Sequence, residues 1–182
     1  TSGARNVAVG YNAGLTMTTG ANNVFIGYSV ADAIGTDSTG NTIVGKDAFG
    51  GSHTGSVHYV TAVGGDALAG ALTTASAGSV AIGRQALTAL TSGAGNTAVG
   101  YSAGAALTTG ERNVILGYGA LDAGSTEVDD NVAIGWNAMG GAIGTEQVNE
   151  CIAIGSYALA GALDSTNGVD LASGTISIGV TA

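Results

Sequence analysis

The chain has 182 residues with 33 Gly, no Pro, a single Cys and only 9% charged residues. Four basic against 13 acidic side chains give a net charge of −9, too few cations to neutralise a run of phosphates or to hold an anionic membrane. With 45% apolar residues and a mean hydropathy of +0.36 the chain has enough to bury, so disorder is excluded; no run reaches a membrane span, and one Cys makes no disulfide framework. Its first residue is Thr and no basic stretch leads into an apolar one. No signal peptide is read, and the sequence looks like a piece of something longer.

One word governs the chain. Asn-Val-Ala-Val-Gly-Tyr-Asn-Ala at 6–13 returns around an anchor glycine at Gly10, Gly27, Gly45, Gly64, Gly83, Gly100, Gly117, Gly135, Gly155 and Gly179, with gaps of 17 to 24 residues. A 90-residue shift places Gly10 on Gly100, Gly27 on Gly117 and Gly45 on Gly135, so the chain reads as one domain, 1–182, made of two tandem five-coil halves at about 1–90 and 91–182.

Within each copy the period is 2, a strand signal. In chain order, the residue before the anchor is Val9, Ile26, Val44, Val63, Ile82, Val99, Leu116, Ile134, Ile154 and Ile178. Three before it stands Val, Thr or Ile; the position between is mostly Ala, with Phe25, Ile43, Ile115 and Ser177 as departures. Ala follows three after the anchor in every copy but the one with Val30. Asn occupies the fourth position before the anchor in six copies, Asn6, Asn23, Asn41, Asn96, Asn113 and Asn131, a corner residue that stacking would align into a ladder.

The expected fold is therefore all-β, a β-solenoid of about ten coils sharing one core, a rod of roughly 48 Å at about 4.8 Å per rung. Both faces of its strand are apolar. One fills the coil, and the other calls for a partner, which a bundle of identical chains supplies; three around one axis is the simplest closed choice.

The words at 131–138 (Asn-Val-Ala-Ile-Gly-Trp-Asn-Ala) and 79–86 (Ser-Val-Ala-Ile-Gly-Arg-Gln-Ala) resemble the head repeats of trimeric autotransporter adhesins, the YadA-like left-handed β-roll. The stretch 96–110 is similar to repeats of phage tail fibres and related surface fibres, and coils of 17 to 24 residues, longer than those of the adhesin heads, favour the phage type. The resemblance implies a left-handed, homotrimeric fibre segment of a virion or cell surface, extracellular, that positions or performs host attachment. Its implied partners are itself, other fibre or virion proteins and, where it binds, a host cell-surface glycan; a bacterial adhesin head is the alternative.

Candidates for chemistry are few, and no catalytic residue, metal site or cofactor is assigned. His53 and His58, with Tyr59 adjacent, lie in the insertion 50–59 and read first as solvated loop residues, with metal or anion capture across a trimer axis as the sharper alternative. Cys151 stands at the Asn-ladder position with no base beside it in sequence and reads as an inert buried thiol. The acidic stretches 127–130 and 164–170 lack the ligand spacing of a calcium loop and read as solvated turns. Tyr11, Tyr28, Tyr101, Tyr118 and Trp136 follow the anchor glycine, where they serve packing or stack on sugar rings; Trp136 joins the two histidines and Tyr59 as a candidate binding residue. A hexapeptide acyltransferase is disfavoured by the irregular gaps and scarce cations. An ice-binding solenoid is disfavoured because the pairs Thr18-Thr19, Thr73-Thr74 and Thr108-Thr109 lie 55 and 35 residues apart.

Overall fold

A computed structural model describes residues 3–53, 55–73, 77–122, 128–141, 148–161 and 174–180. Each repeat word contributes one three-residue strand: β1 Val7–Val9, β2 Val24–Ile26, β3 Thr42–Val44, β4 Thr61–Val63, β5 Val80–Ile82, β6 Thr97–Val99, β7 Val114–Leu116, β8 Val132–Ile134, β9 Ile152–Ile154 and β10 Ile176–Ile178. They form a single parallel sheet in chain order, so the chain is an all-β solenoid, with no helix among the described residues. Register follows the repeat whatever the loop length: Val9 faces Ile26 across a 17-residue gap, and Ile154 faces Ile178 across 24.

The anchor glycines stack on one another. Each has φ between 129° and 149°, and a Cβ added at any of the first nine would lie 2.0–2.5 Å from the carbonyl oxygen of the next anchor glycine. A side chain is excluded there twice, by backbone conformation and by the rung above.

From β2 to β10 the middle residue of each strand points inward. Phe25, Ile43, Ala62, Ala81, Ala98, Ile115, Ala133 and Ala153 are fully buried, together with the alanines three residues past each anchor from Ala48 to Ala158. The departures from Ala have a partner in the coil before, four residues past that coil's anchor. Phe25 follows Gly14, Ile43 follows Ala31 and Ile115 follows Gly104, whereas Ala62, Ala81, Ala98, Ala133 and Ala153 follow Phe49, Leu68, Leu87, Leu121 and Met139. Two of these pairs are in direct contact, since a Cβ on Gly14 would meet the Phe25 ring at 2.8 Å and one on Gly104 would meet Ile115 Cδ1 at 2.9 Å. Large against small across each rung keeps the core at constant width.

The same position four past the anchor is left-handed even where it is not glycine, as at Leu68 (φ 50°), Leu87 (φ 51°) and Leu121 (φ 48°). Such a conformation costs a non-glycine residue about 1–2 kcal/mol. Stacking repeats it from coil to coil, so burial of each leucine offsets the strain.

The asparagine ladder forms as expected, though not as a left-handed corner. The left-handed residue is the one before it, as at Asn22, Arg112 and Asp130. Asn23 Nδ2 donates to Asn6 Oδ1 at 3.1 Å and to Ser38 O at 2.8 Å; Asn41 Nδ2 donates to Asn23 Oδ1 at 3.0 Å and to Val57 O at 2.9 Å. Asn96, Asn113 and Asn131 repeat this in the second half, where Asn113 Nδ2 donates to Asn96 Oδ1 at 3.0 Å and Asn131 Nδ2 to Asn113 Oδ1 at 3.1 Å. Each run ends on a residue without a carboxamide, Val60 or Cys151, whose backbone N–H donates to the last Oδ1 at 3.0 Å and 2.8 Å.

Two substitutions separate the steric roles. Gly100→Ala, with φ 141° and the Gly117 carbonyl 2.3 Å from the new Cβ, is expected to cost about 4 kcal/mol. Gly65→Ala, whose nearest atom is Lys46 O at 3.7 Å, is expected to stay within about 0.5 kcal/mol by chemical denaturation. Core compensation is tested by a cycle. Ile115→Ala is expected to cost about 3 kcal/mol, and adding Gly104→Leu, a residue already accommodated at the equivalent Leu87 and Leu121, is expected to recover about 2 kcal/mol of it.

Candidate functional site

With the middle residue of each strand turned inward, the two flanking residues turn out. Of the seventeen exposed large hydrophobic residues among those described, fifteen lie on or immediately beside this one sheet face; the exceptions are Leu15 and Tyr59. Val9 is 56% exposed, Ile82 39%, Val99 36% and Ile178 69%. A parallel sheet is normally covered on both faces. Here the outward residues of one face are exposed or half-buried from β1 to β10, with no described residue buried among them.

The residue after each anchor glycine lines the edge of this face. Tyr11 stacks on Tyr28 with ring centroids 5.3 Å apart, and Tyr101 on Tyr118 at 5.1 Å, as one rung places the next ring directly above. Arg84 interrupts the row but joins it, its guanidinium 5.7 Å from the Tyr101 ring centre and Nη1 donating to Tyr101 Oη at 3.1 Å. Trp136 lies 5.1 Å from Tyr157, tilted by 56°, a contact the sequence reading lacked because Tyr157 sits one place further along its coil. Tyr118 and Trp136 line a shallow depression of about 280 Å³. These rings stay exposed, Trp136 at 54%, and do not cap the core of their own coil.

The remaining sequence candidates do not join this face. Tyr59 is exposed and left-handed (φ 59°), its ring against Gly40. His53, His58 and Tyr59 share one insertion, which lies four rungs or more from Trp136, roughly 19 Å along the axis. The histidines are half-buried rather than freely solvated. His53 Nδ1 accepts the Leu72 N–H at 3.1 Å while Nε2 faces Phe49 O at 3.2 Å, and His58 Nδ1 accepts the Thr39 N–H at 3.2 Å. Burial holds the His53 pKa below the ordinary imidazole value, against smaller opposing effects of the Phe49 and Leu72 backbone and of Asp32.

Cys151 is fully buried, and its thiol donates to Asn149 O at 3.4 Å. Of the acidic stretches, Glu127 and 164–170 lie outside the described residues. Asp129 accepts the Glu111 N–H at 2.8 Å, and Asp130 takes both Nε and Nη2 of Arg112 at 2.7 and 2.8 Å. This fork lowers the Asp130 pKa and raises that of Arg112. Among the described residues no three His, Cys, Asp or Glu side chains come together as metal ligands.

The threonine argument needs a correction. Thr36 and Thr91, which belong to no Thr–Thr pair, fill the same corner in intervening coils: Thr18 and Thr19 N–H donate to Thr36 O, Thr73 N–H to Thr91 O, and Thr91 N–H to Thr108 O. Thr74 lies outside the described residues. The hydroxyls of Thr19 and Thr91 turn to the next coil's carbonyl, at 3.2 and 3.0 Å, so the column tightens the stack.

No protein-family model, characterised protein or solved structure matches the chain.

Proposed function

We propose that this chain is a repetitive segment of a homotrimeric fibre at a virion or cell surface, without catalytic activity, whose task is to position or perform attachment to a host. The observation that carries the reading is the bare apolar sheet face. Fifteen side chains left 36% to 71% exposed amount to roughly 1,000 Å² of apolar surface, above the ~300–600 Å² patch of an ordinary monomer. It is of the order of the ~800 Å² per partner in a stable interface. At about 25 cal/mol per Å², covering it is worth roughly 25 kcal/mol per chain before the costs of association.

The resemblance of the repeat words to trimeric surface fibres sets the number at three, and coil length favours the tail-fibre type over the adhesin head. Aromatic rings at the edge of the face, Tyr118 and Trp136 foremost, are where such a fibre would meet a glycan. Among the described residues, the ladder asparagines and both histidines bond to neighbouring coils.

Native mass spectrometry at micromolar concentration is expected to give three chains, resistant to dissociation in mild detergent. Ile82→Lys with Val99→Lys, register partners at the centre of the face, is expected to yield monomers with an unchanged far-ultraviolet circular dichroism spectrum. A stable wild-type monomer would overturn the reading, and a stable dimer would overturn the threefold arrangement.

A further inference from the structure

The insertion between β3 and β4 is fastened at both ends by an imidazole that accepts a main-chain proton from a neighbouring coil. His53 reaches forward: Nδ1 accepts from Leu72 N at 3.1 Å, and the ring lies 4.1 Å from that of Phe49. His58 reaches back: Nδ1 accepts from Thr39 N at 3.2 Å, next to the Val57 N–H that donates to Ser38 Oγ at 2.9 Å. Since Nδ1 of His53 is an acceptor, its proton sits on Nε2 and is donated to Phe49 O. The His53 imidazole is thus neutral in the closed arrangement.

We propose that His53 is a pH-sensitive latch, holding the described part of the 50–59 insertion against the coil ahead while its ring is neutral and releasing it when protonated. Protonation puts a hydrogen on Nδ1, so the ring then presents a donor to the Leu72 N–H, and that inter-coil contact is lost. The imidazolium has somewhere to go, because His53 borders an open depression of about 220 Å³ lined also by Gly35, Thr36, Gly55 and Ser56. Charges nearby do little to prevent this. Asp32, on the coil behind, favours the protonated form of His53 less than burial disfavours it. Asp37 belongs to the same coil, two residues before Thr39, and Asp66 on the coil ahead faces Arg84 at 3.9 Å.

The sign follows from linkage. His53 binds its proton less readily closed than open, so closure is most stable above the ordinary imidazole range. It weakens as pH falls through that range and levels off below the depressed value. Hydrogen exchange read by mass spectrometry on the full chain, corrected for the intrinsic pH dependence, tests this at the Leu72 amide. Protection there is expected to fall between pH 7.5 and 5, about tenfold for each unit by which the closed pKa lies below the open one, while the Asn113 and Asn131 amides stay unchanged.

His53→Asn places an oxygen near the Nδ1 position and cannot titrate, so its protection should be flat with pH. Should that variant fail to fold, the wild type decides alone: imidazole proton shifts followed by nuclear magnetic resonance must titrate in step with the loss of protection. Equal pH dependence in the Asn variant, no change in the wild type, or opening uncoupled from imidazole titration would overturn the latch.

Discussion

The structure depends on a column of backbone contacts no side chain could enter. At about 4.8 Å per rung, the Cα of each anchor glycine lies against the carbonyl of the next, and this spacing fixes the height of every coil at one corner. With that corner pinned, strands of only three residues keep a common register even though their loops differ by seven residues. A three-residue strand has little pairing energy of its own. What holds it is the sum of the glycine column, the asparagine ladder and the core beneath, each repeating on the same rung.

The pinned height has consequences on both sides of the sheet. Inside, no coil can swell, so volume gained at one position has to be given up at its neighbour, which is why Phe25 sits over Gly14 and Ile115 over Gly104. Outside, none of the described loop residues folds back over the strands. The aliphatic residues flanking each middle position therefore stay exposed or half-buried.

Much of this was legible in the sequence. Anchor, strand, asparagine corner and duplication all repeat at fixed offsets, and a fixed offset survives variation in loop length. The inward direction of each strand was not legible, because both faces are apolar; the alanine side proves to be the interior and the larger Val/Ile side the exterior. That reverses the usual expectation, and the reason is room. Leucine, phenylalanine or methionine from four residues past the anchor fills the coil, leaving space for little more than a methyl group at the strand centre. The threonine column escaped notice for a different reason. It stands eight residues past the anchor at Thr18, Thr91 and Thr108 but nine at Thr36 and Thr73, so no single offset finds it. The histidines were read as solvated because the insertion is polar, and sequence does not tell which backbone amides a long corner leaves needing an acceptor.

The proposed assembly draws on the same geometry as the fold. A coil that buries alanine and turns valine and isoleucine outward has placed its larger apolar side chains where no described residue of the chain covers them. Substituting polar residues for that outer row would disturb no core contact, yet nine of the ten residues just before the anchor are Val or Ile and the tenth is Leu. Beta propensity explains branched side chains on a pleated surface, but Thr satisfies it equally and carries a hydroxyl for solvent. Thr does stand on this face, at Thr42, Thr61 and Thr97, all three residues before the anchor and never one before it. The row next to the glycine is thus the one from which polar groups are excluded throughout, and in the proposed trimer it would be the centre of the contact, with the tyrosines and Trp136 on one flank and the threonines on the other.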